Sequence, residues 1–273
     1  RHARAIVRRS GLLMDRRNPY LHALAYALVM ASLVWGVYAG AVSTGYNWDW
    51  HRVPRYLFEW EDGTLYRGYL LDGLLVTLEI SSLAFALMIV VGLAAALLDR
   101  SGSIVGRGLA RGYVELIRNT PLLVQLYVVY FALSPVLGLD RFTAAVLTLA
   151  LFGGAYAAEI FRAGLDSVAK GQWEAADALG LSRYRTYRHV VLPQAVRLVL
   201  PPLTGQTVSL IKDSAIVSVI AVFDLTTEAR NIIAETFLVF EIWFTVALMY
   251  LALTVTLSFA VTALERRLQR RVA

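Results

Sequence analysis

The sequence contains no cysteine, which excludes disulfides and thiolate metal sites. Lysine occurs only at positions 170 and 212, so nearly every cation is an arginine. The four histidines, at 2, 22, 51 and 189, are scattered without ligand spacing, and no H-E-x-x-H is present. No G-x4-G-K-[ST] phosphate loop occurs, so this sequence carries no nucleotide site of that type. No Ser-His-Asp arrangement can be assembled, and no catalytic cluster lies in the apolar runs, which argues against an intramembrane enzyme. Low-complexity linkers and repeats of fixed period are missing as well.

What the chain has is apolar length. Hydrophobic residues make up 58% of it, against about 45–50% in soluble domains. Six runs approach the roughly 20 residues that cross a bilayer as a helix. They are Tyr20 to Tyr46, Leu70 to Leu98, Gly112 to Leu133, Phe142 to Phe161, Leu198 to Phe223 and Phe240 to Leu264. This predicts an all-α polytopic membrane protein. The net charge of +6 does not point to nucleic acid, because the basic residues sit in loops beside the runs.

Those loops alternate. Segment 1–19 holds Arg1, Arg4, Arg8, Arg9, Arg16 and Arg17 against Asp15, with no cleavage-site pattern of a signal peptide. Segment 47–69 is mixed, with Asp49, Glu59, Glu61 and Asp62 against Arg52, Arg55 and Arg67. Segment 99–111 is basic, 134–141 balanced, 162–197 basic, 224–239 acidic, and the tail after 264 basic. By the positive-inside rule both termini and the long 162–197 loop are cytoplasmic, and six spans fit that parity. The expected organisation is a basic N-terminus (1–19), one span (20–46), an extracytoplasmic aromatic-rich segment (47–69), a core (70–264) and a basic tail (265–273). Trp48, Trp50, Tyr56, Phe58, Trp60 and Tyr66 suit an interfacial helix or belt, with contact to an external binding protein as the sharper alternative.

The charged stretch Gln172 to Pro193 lies between two apolar runs. It contains Glu174-Ala175-Ala176, three residues, Gly180, nine residues, then Val190-Val191-Leu192-Pro193. Alanines and Leu179 favour a helix, Gly180 suits a left-handed C-cap, and Ser182 can start a second helix. Glu174 and the arginines at 183, 185 and 188 can add charged contacts at the rim of a docked surface. The spacing resembles the E-A-A-x3-G-x9-I-x-L-P loop of ATP-binding-cassette (ABC) importer permeases, with Val190 in place of Ile. Further matches narrow the group. Tyr113-Val114-Glu115-Leu116-Ile117-Arg118-Asn119-Thr120-Pro121-Leu122-Leu123-Val124-Gln125 is similar to a signature of polar amino acid importer permeases, which usually carry Gly where Asn119 stands. Ala155-Tyr156-Ala157-Ala158-Glu159-Ile160-Phe161-Arg162-Ala163-Gly164, Lys170-Gly171-Gln172, Leu192-Pro193-Gln194-Ala195 and Lys212-Asp213-Ser214 also match, with Ala215 and Ile216 departing. The chain thus resembles the histidine, glutamine, glutamate and arginine permease group.

The resemblance implies a five-helix type I importer core with one extra N-terminal helix, and a cytoplasmic coupling helix within the loop 166–193. It implies ATPase-coupling roles for Glu174, Ala175, Ala176, Gly180, Leu192 and Pro193. It implies two ATPase subunits that bind ATP-Mg, a second permease subunit (identical or paralogous), an extracytoplasmic amino-acid-binding protein, and a lipid environment in the bacterial cytoplasmic membrane. This chain itself would hold no cofactor and hydrolyse nothing. The alternative is a secondary amino acid transporter driven by an ion gradient.

Charges in or near spans are costly and mark a substrate path or structural pairs. Here they are Glu79, Glu115, Arg118, Glu159, Arg162, Lys212 and Asp213. Glu115 with Arg118, and Glu159 with Arg162, are three apart and can pair within their own helix. Lys212 and Asp213, about halfway along the fifth run, could complement the carboxylate and ammonium of an amino acid, and their side chains leave a helix about 100° apart. Glu79 lies beside Thr77, Ser81 and Ser82. Pro121 can kink the third run, and Pro201-Pro202 marks entry into the fifth.

Overall fold

The computed structural model describes residues 19–43, 45–61 and 63–270. Residues 1–18 and 271–273, which carry much of the expected basic N-terminus and tail, lie outside the described residues. The chain divides into two units, Arg1–Trp48 and Asp49–Ala273.

The first unit is one helix, α1 (Pro19–Ser43), apolar and long enough to cross a membrane. Its Ser32 and Ser43 hydroxyls donate to the carbonyls of Val29 and Gly40 at 2.8 and 2.9 Å, so neither leaves an idle donor in lipid.

The second unit opens with a 3-10 turn (Trp50–Arg52), then α2 (Pro54–Leu57) and a hairpin of β1 (Phe58–Glu61) and β2 (Thr64–Arg67). Antiparallel pairing sets Phe58 opposite Arg67 and Trp60 opposite Leu65, and Gly63 turns the chain at φ +76°. Among the described residues this hairpin is the exception to the all-α expectation; its aromatic residues, read as a helix or belt, have the strand preference of their type. Gly68 follows, where an added Cβ would lie 2.4 Å from the carbonyl oxygen of Tyr56.

From there the architecture is helical. α3 (Tyr69–Asp99) is followed by α4 (Ile104–Arg118), which Ser103 caps by accepting from the Gly106 amide. α5 (Leu122–Tyr127) runs through a π turn (Val128–Leu133) into α6 (Ser134–Leu137). α7 (Arg141–Asp166) is capped by Asp140, and α8 (Lys170–Ala178) and α9 (Arg183–Thr186) lead through a second π turn (Tyr187–Val191) to α10 (Leu192–Asp213). A 3-10 segment (Ser214–Ile220), α11 (Leu225–Thr236) and α12 (Val239–Arg270) complete the order. Asp224 is fully buried at the start of α11, where it accepts from the Thr227 amide at 2.9 Å; burial pushes its carboxyl upward from the ordinary carboxylate range.

α3 and α7 form the central pair, and small residues let them approach closely. A Cβ on Gly92 would meet the Ala157 methyl at 2.7 Å, and one on Gly153 would meet the Met88 sulfur at 2.7 Å. Ile80, Ala84, Met88, Leu126, Ala145, Leu149, Leu210 and Val217 make the main core around this seam. A second core joins Tyr56 and Leu70 to Leu225, Ile232, Leu238 and Ile242 at the hairpin end.

Four described helices, α1, α3, α7 and α12, can each cross a membrane by length and composition, and the α4 to α6 stretch is a fifth candidate bent by 109°. The anticipated kink at Pro121 is therefore a full break. Three side chains satisfy the carbonyls it frees. Asn119 Nδ2 donates to the Glu115 carbonyl at 2.7 Å, Thr120 Oγ1 to Leu116 at 2.8 Å, and Gln125 Nε2 to Ile117 at 2.8 Å and Thr120 at 3.1 Å. Gln125→Ala should cost about 1–3 kcal/mol by stranding those carbonyls. Gln125→Glu, with no donor when ionised, should do no better, and thermal unfolding in detergent measures both. The expected fifth span is α10 with the 3-10 segment. Pro201 and Pro202 lie inside α10 rather than at its start, and with Lys212 and Asp213 they make it less apolar than the candidate spans, among which it is not counted.

Candidate functional site

The loop between α7 and α10 is a small rigid body. α8 ends in two reciprocal bonds, Leu181 N to Ala176 O at 3.1 Å and Gly180 N to Asp177 O at 2.9 Å, with Gly180 at φ +68°. This is the Schellman closure, which needs a left-handed residue after the helix. The loop sits on its own core. Leu165 and Val168 from the α7 end pack with Val191 and Ala195, and Trp173 and Tyr187 lean against them with ring centroids 5.1 Å apart. Ala176 is buried, while Glu174, Ala175, Gly180, Leu192 and Pro193 are exposed. Leu179 is 78% exposed and Tyr184 68%, so two large apolar side chains project from the loop beside the alanines and charges. A rigid helix with a small-residue face, a carboxylate and apolar tips can seat in a groove of another chain.

Lys212 and Asp213 stand at the point where α10 gives way to the 3-10 segment. Both line one cavity of about 530 Å³ with Phe152, Tyr156, Gln206 and Ser209. The 100° offset of neighbouring helix positions therefore does not send them to separate places. Neither forms an ion pair with another described residue. A cation, a carboxylate, an amide and a hydroxyl around one space can hold a small zwitterion.

The other intramembrane charges gather at the α8 end of α3, α4 and α7. Arg162 pairs with Glu159, Nη2 to Oε2 at 2.7 Å and Nε to Oε1 at 3.2 Å, as the i,i+3 spacing suggests. The expected Glu115–Arg118 pair does not form. Arg118 reaches across to Glu159 at 3.6 Å, and Glu115 accepts from Asn119 Nδ2 at 2.9 Å. The helix ends at Arg118, so its side chain is free to leave the α4 surface. Arg111 holds Asp99 at 2.7 Å, and Arg100 holds Asp166. Together these tie α3 to α4 and α7. Glu79 joins neither group: it is exposed on the side of α3 opposite the buried Thr77, Ser81 and Ala84.

A bundle of membrane-length helices with a capped, packed helix in its longest loop has the architecture of a membrane-spanning transport subunit. Residues 88–270 match the family described as binding-protein-dependent transport system inner membrane component, and the chain belongs to it. It is similar to the glutamine transport system permease protein GlnP of Escherichia coli (strain K12), 44% identical over 203 residues that cover 73% of this chain and 93% of that one. A crystal structure of an amino acid ABC transporter with histidines matches at TM-score 0.69 and 39% identity, over 73% of this chain and 94% of that chain. The inward-facing MetNI methionine ABC transporter matches at TM-score 0.63 and 20% identity, over 73% and 96%, a likeness of fold. The chain is accordingly a multi-pass permease subunit of an ABC importer with the type I fold, working with a separate ATPase that hydrolyses ATP and with a substrate-binding partner. These matches give no support to the ion-gradient alternative.

Proposed function

We propose that this permease carries a polar, zwitterionic amino acid of the glutamine type, and that the substrate passes the Lys212–Asp213 cavity. The observation that carries this reading is that one cavity presents a cation and a carboxylate, neither in an ion pair with another described residue, beside Gln206 and Ser209. The name of the 44% identical relative supports the substrate class. In this reading α8 lies on the cytoplasmic side, an orientation supported by the arginine-rich loops. Glu174, Ala175, Ala176, Gly180, Leu192 and Pro193 form the surface on which an ATPase with bound ATP-Mg docks. Two such ATPases, two permease subunits and an extracytoplasmic amino-acid-binding protein make the complete importer.

Native mass spectrometry of the complex from its own membranes, paired with radiolabelled L-glutamine uptake in liposomes, tests this. Two ATPase copies and ATP-dependent glutamine uptake are the expected result. ATP-driven uptake of a different solute class, with glutamine ignored, would overturn the substrate assignment and leave the family standing.

A further inference from the structure

Tyr156 lines one charged cavity and touches, through Arg118, a second. Its ring lines the 530 Å³ cavity of Lys212 and Asp213. The Arg118 guanidinium lies over the same ring, Cζ 5.3 Å from the centroid. Arg118 in turn lines a second cavity of about 340 Å³, with Glu115, Glu159, Arg162, Asp99 and Arg111. Each cavity thus offers both signs of charge, the pattern that meets the two ends of a zwitterion. Phe152 packs against Tyr156 at 5.2 Å between centroids, so an aromatic pair on α7 lines the first cavity on the side where Arg118 meets it.

The hold on the ring is weak by design of its partners. Glu159 is engaged twice by Arg162, at 2.7 and 3.2 Å, whereas its contact with Arg118 is a single one at 3.6 Å. Arg118 therefore keeps donors to spare, and its side chain is 43% exposed. A guanidinium binds a carboxylate through two parallel hydrogen bonds more strongly than it binds a ring face. An incoming carboxylate can take Arg118 from Tyr156.

We propose that Tyr156 is a movable divider between two successive positions of the transported amino acid, Lys212–Asp213 first and Arg118 with its neighbouring carboxylates second. Transfer of the substrate carboxylate onto Arg118 releases the ring and opens the passage. This rests on the reading that the Lys212 cavity lies on the substrate path.

The absence of cysteine provides the test. Ser209→Cys places one thiol in the Lys212 cavity. The complete transporter in liposomes is labelled with a membrane-impermeant maleimide from the α8 side, without substrate. Adding Tyr156→Ala should raise the labelling rate about tenfold, and Arg118→Gln about threefold, while Tyr156→Phe, which keeps the ring, should stay within about twofold of the parent. Equal rates in all variants would overturn the divider, as would a rise with Tyr156→Phe as large as with Tyr156→Ala. If Tyr156→Ala does not assemble, an unchanged rate in Arg118→Gln rejects the proposal. Labelling involves no substrate, so it can fail while glutamine uptake holds, and uptake can fail while labelling holds.

Discussion

Gly180→Pro is expected to abolish uptake while leaving the chain in the membrane and folded. The position is in the left-handed region, φ +68°, and no atom lies within 4 Å of where a Cβ would stand. Any loss on substitution is therefore conformational and not a clash. Proline fixes φ near −65° and removes the amide that bonds Asp177 O, so the α8 closure cannot form. The cost there is about 3 kcal/mol or more. Alanine costs about 1 kcal/mol at such a site, and asparagine less because it visits the left-handed region readily. Uptake should rank Gly, Asn, Ala, Pro. Glu174→Arg is the complementary change, since Glu174 is exposed and its replacement disturbs no described contact. It should leave membrane levels intact and weaken co-purification with the ATPase. Normal transport by Gly180→Pro would show that α8 and its closure do not couple the two proteins.

The ease with which this loop was read, and the difficulty of reading the charges, have the same origin. A helix followed by its left-handed cap is local: Ala176, Asp177 and Gly180 settle it among themselves. The partners of Arg118 are not local. An i,i+3 rule assigns it to Glu115, and it works for Glu159 with Arg162 because both sit within a continuous helix. At Arg118 the helix stops, and the side chain crosses to α7. Glu79 shows a different limit. Its sequence neighbours Thr77 and Ser81 point into the bundle, and two positions on a helix turn a side chain by about 200°, so adjacency in sequence misled where helical phase would have served. The 109° break was signalled by Pro121 but its size was not, because that depends on the cap supplied by Gln125, several residues away. The hairpin was missed because its strands are four residues each, too short for a two-residue period to show against an aromatic-rich background.

Lys212→Gln and Asp213→Asn should each lower kcat/KM for glutamine by about 10- to 100-fold, the range of a charge-assisted hydrogen bond of about 1.5–3 kcal/mol. The informative quantity is the double variant. If Lys212 holds the substrate carboxylate and Asp213 its ammonium, the two groups act on opposite ends of one ligand and their losses add. If they serve only to neutralise one another in the membrane, each single change strands the other charge, and the double variant recovers. The geometry favours the first outcome, because both line an open cavity and neither makes an ion pair with another described residue. A further split follows from the chemistry. An amino acid amide keeps the ammonium and loses the carboxylate, so it should compete poorly with glutamine in the parent and without that handicap in Lys212→Gln. Competition uptake in liposomes measures this. Full recovery in the double variant, with the amide handicap unchanged by Lys212→Gln, would move both residues from the substrate path to the structural frame of α10.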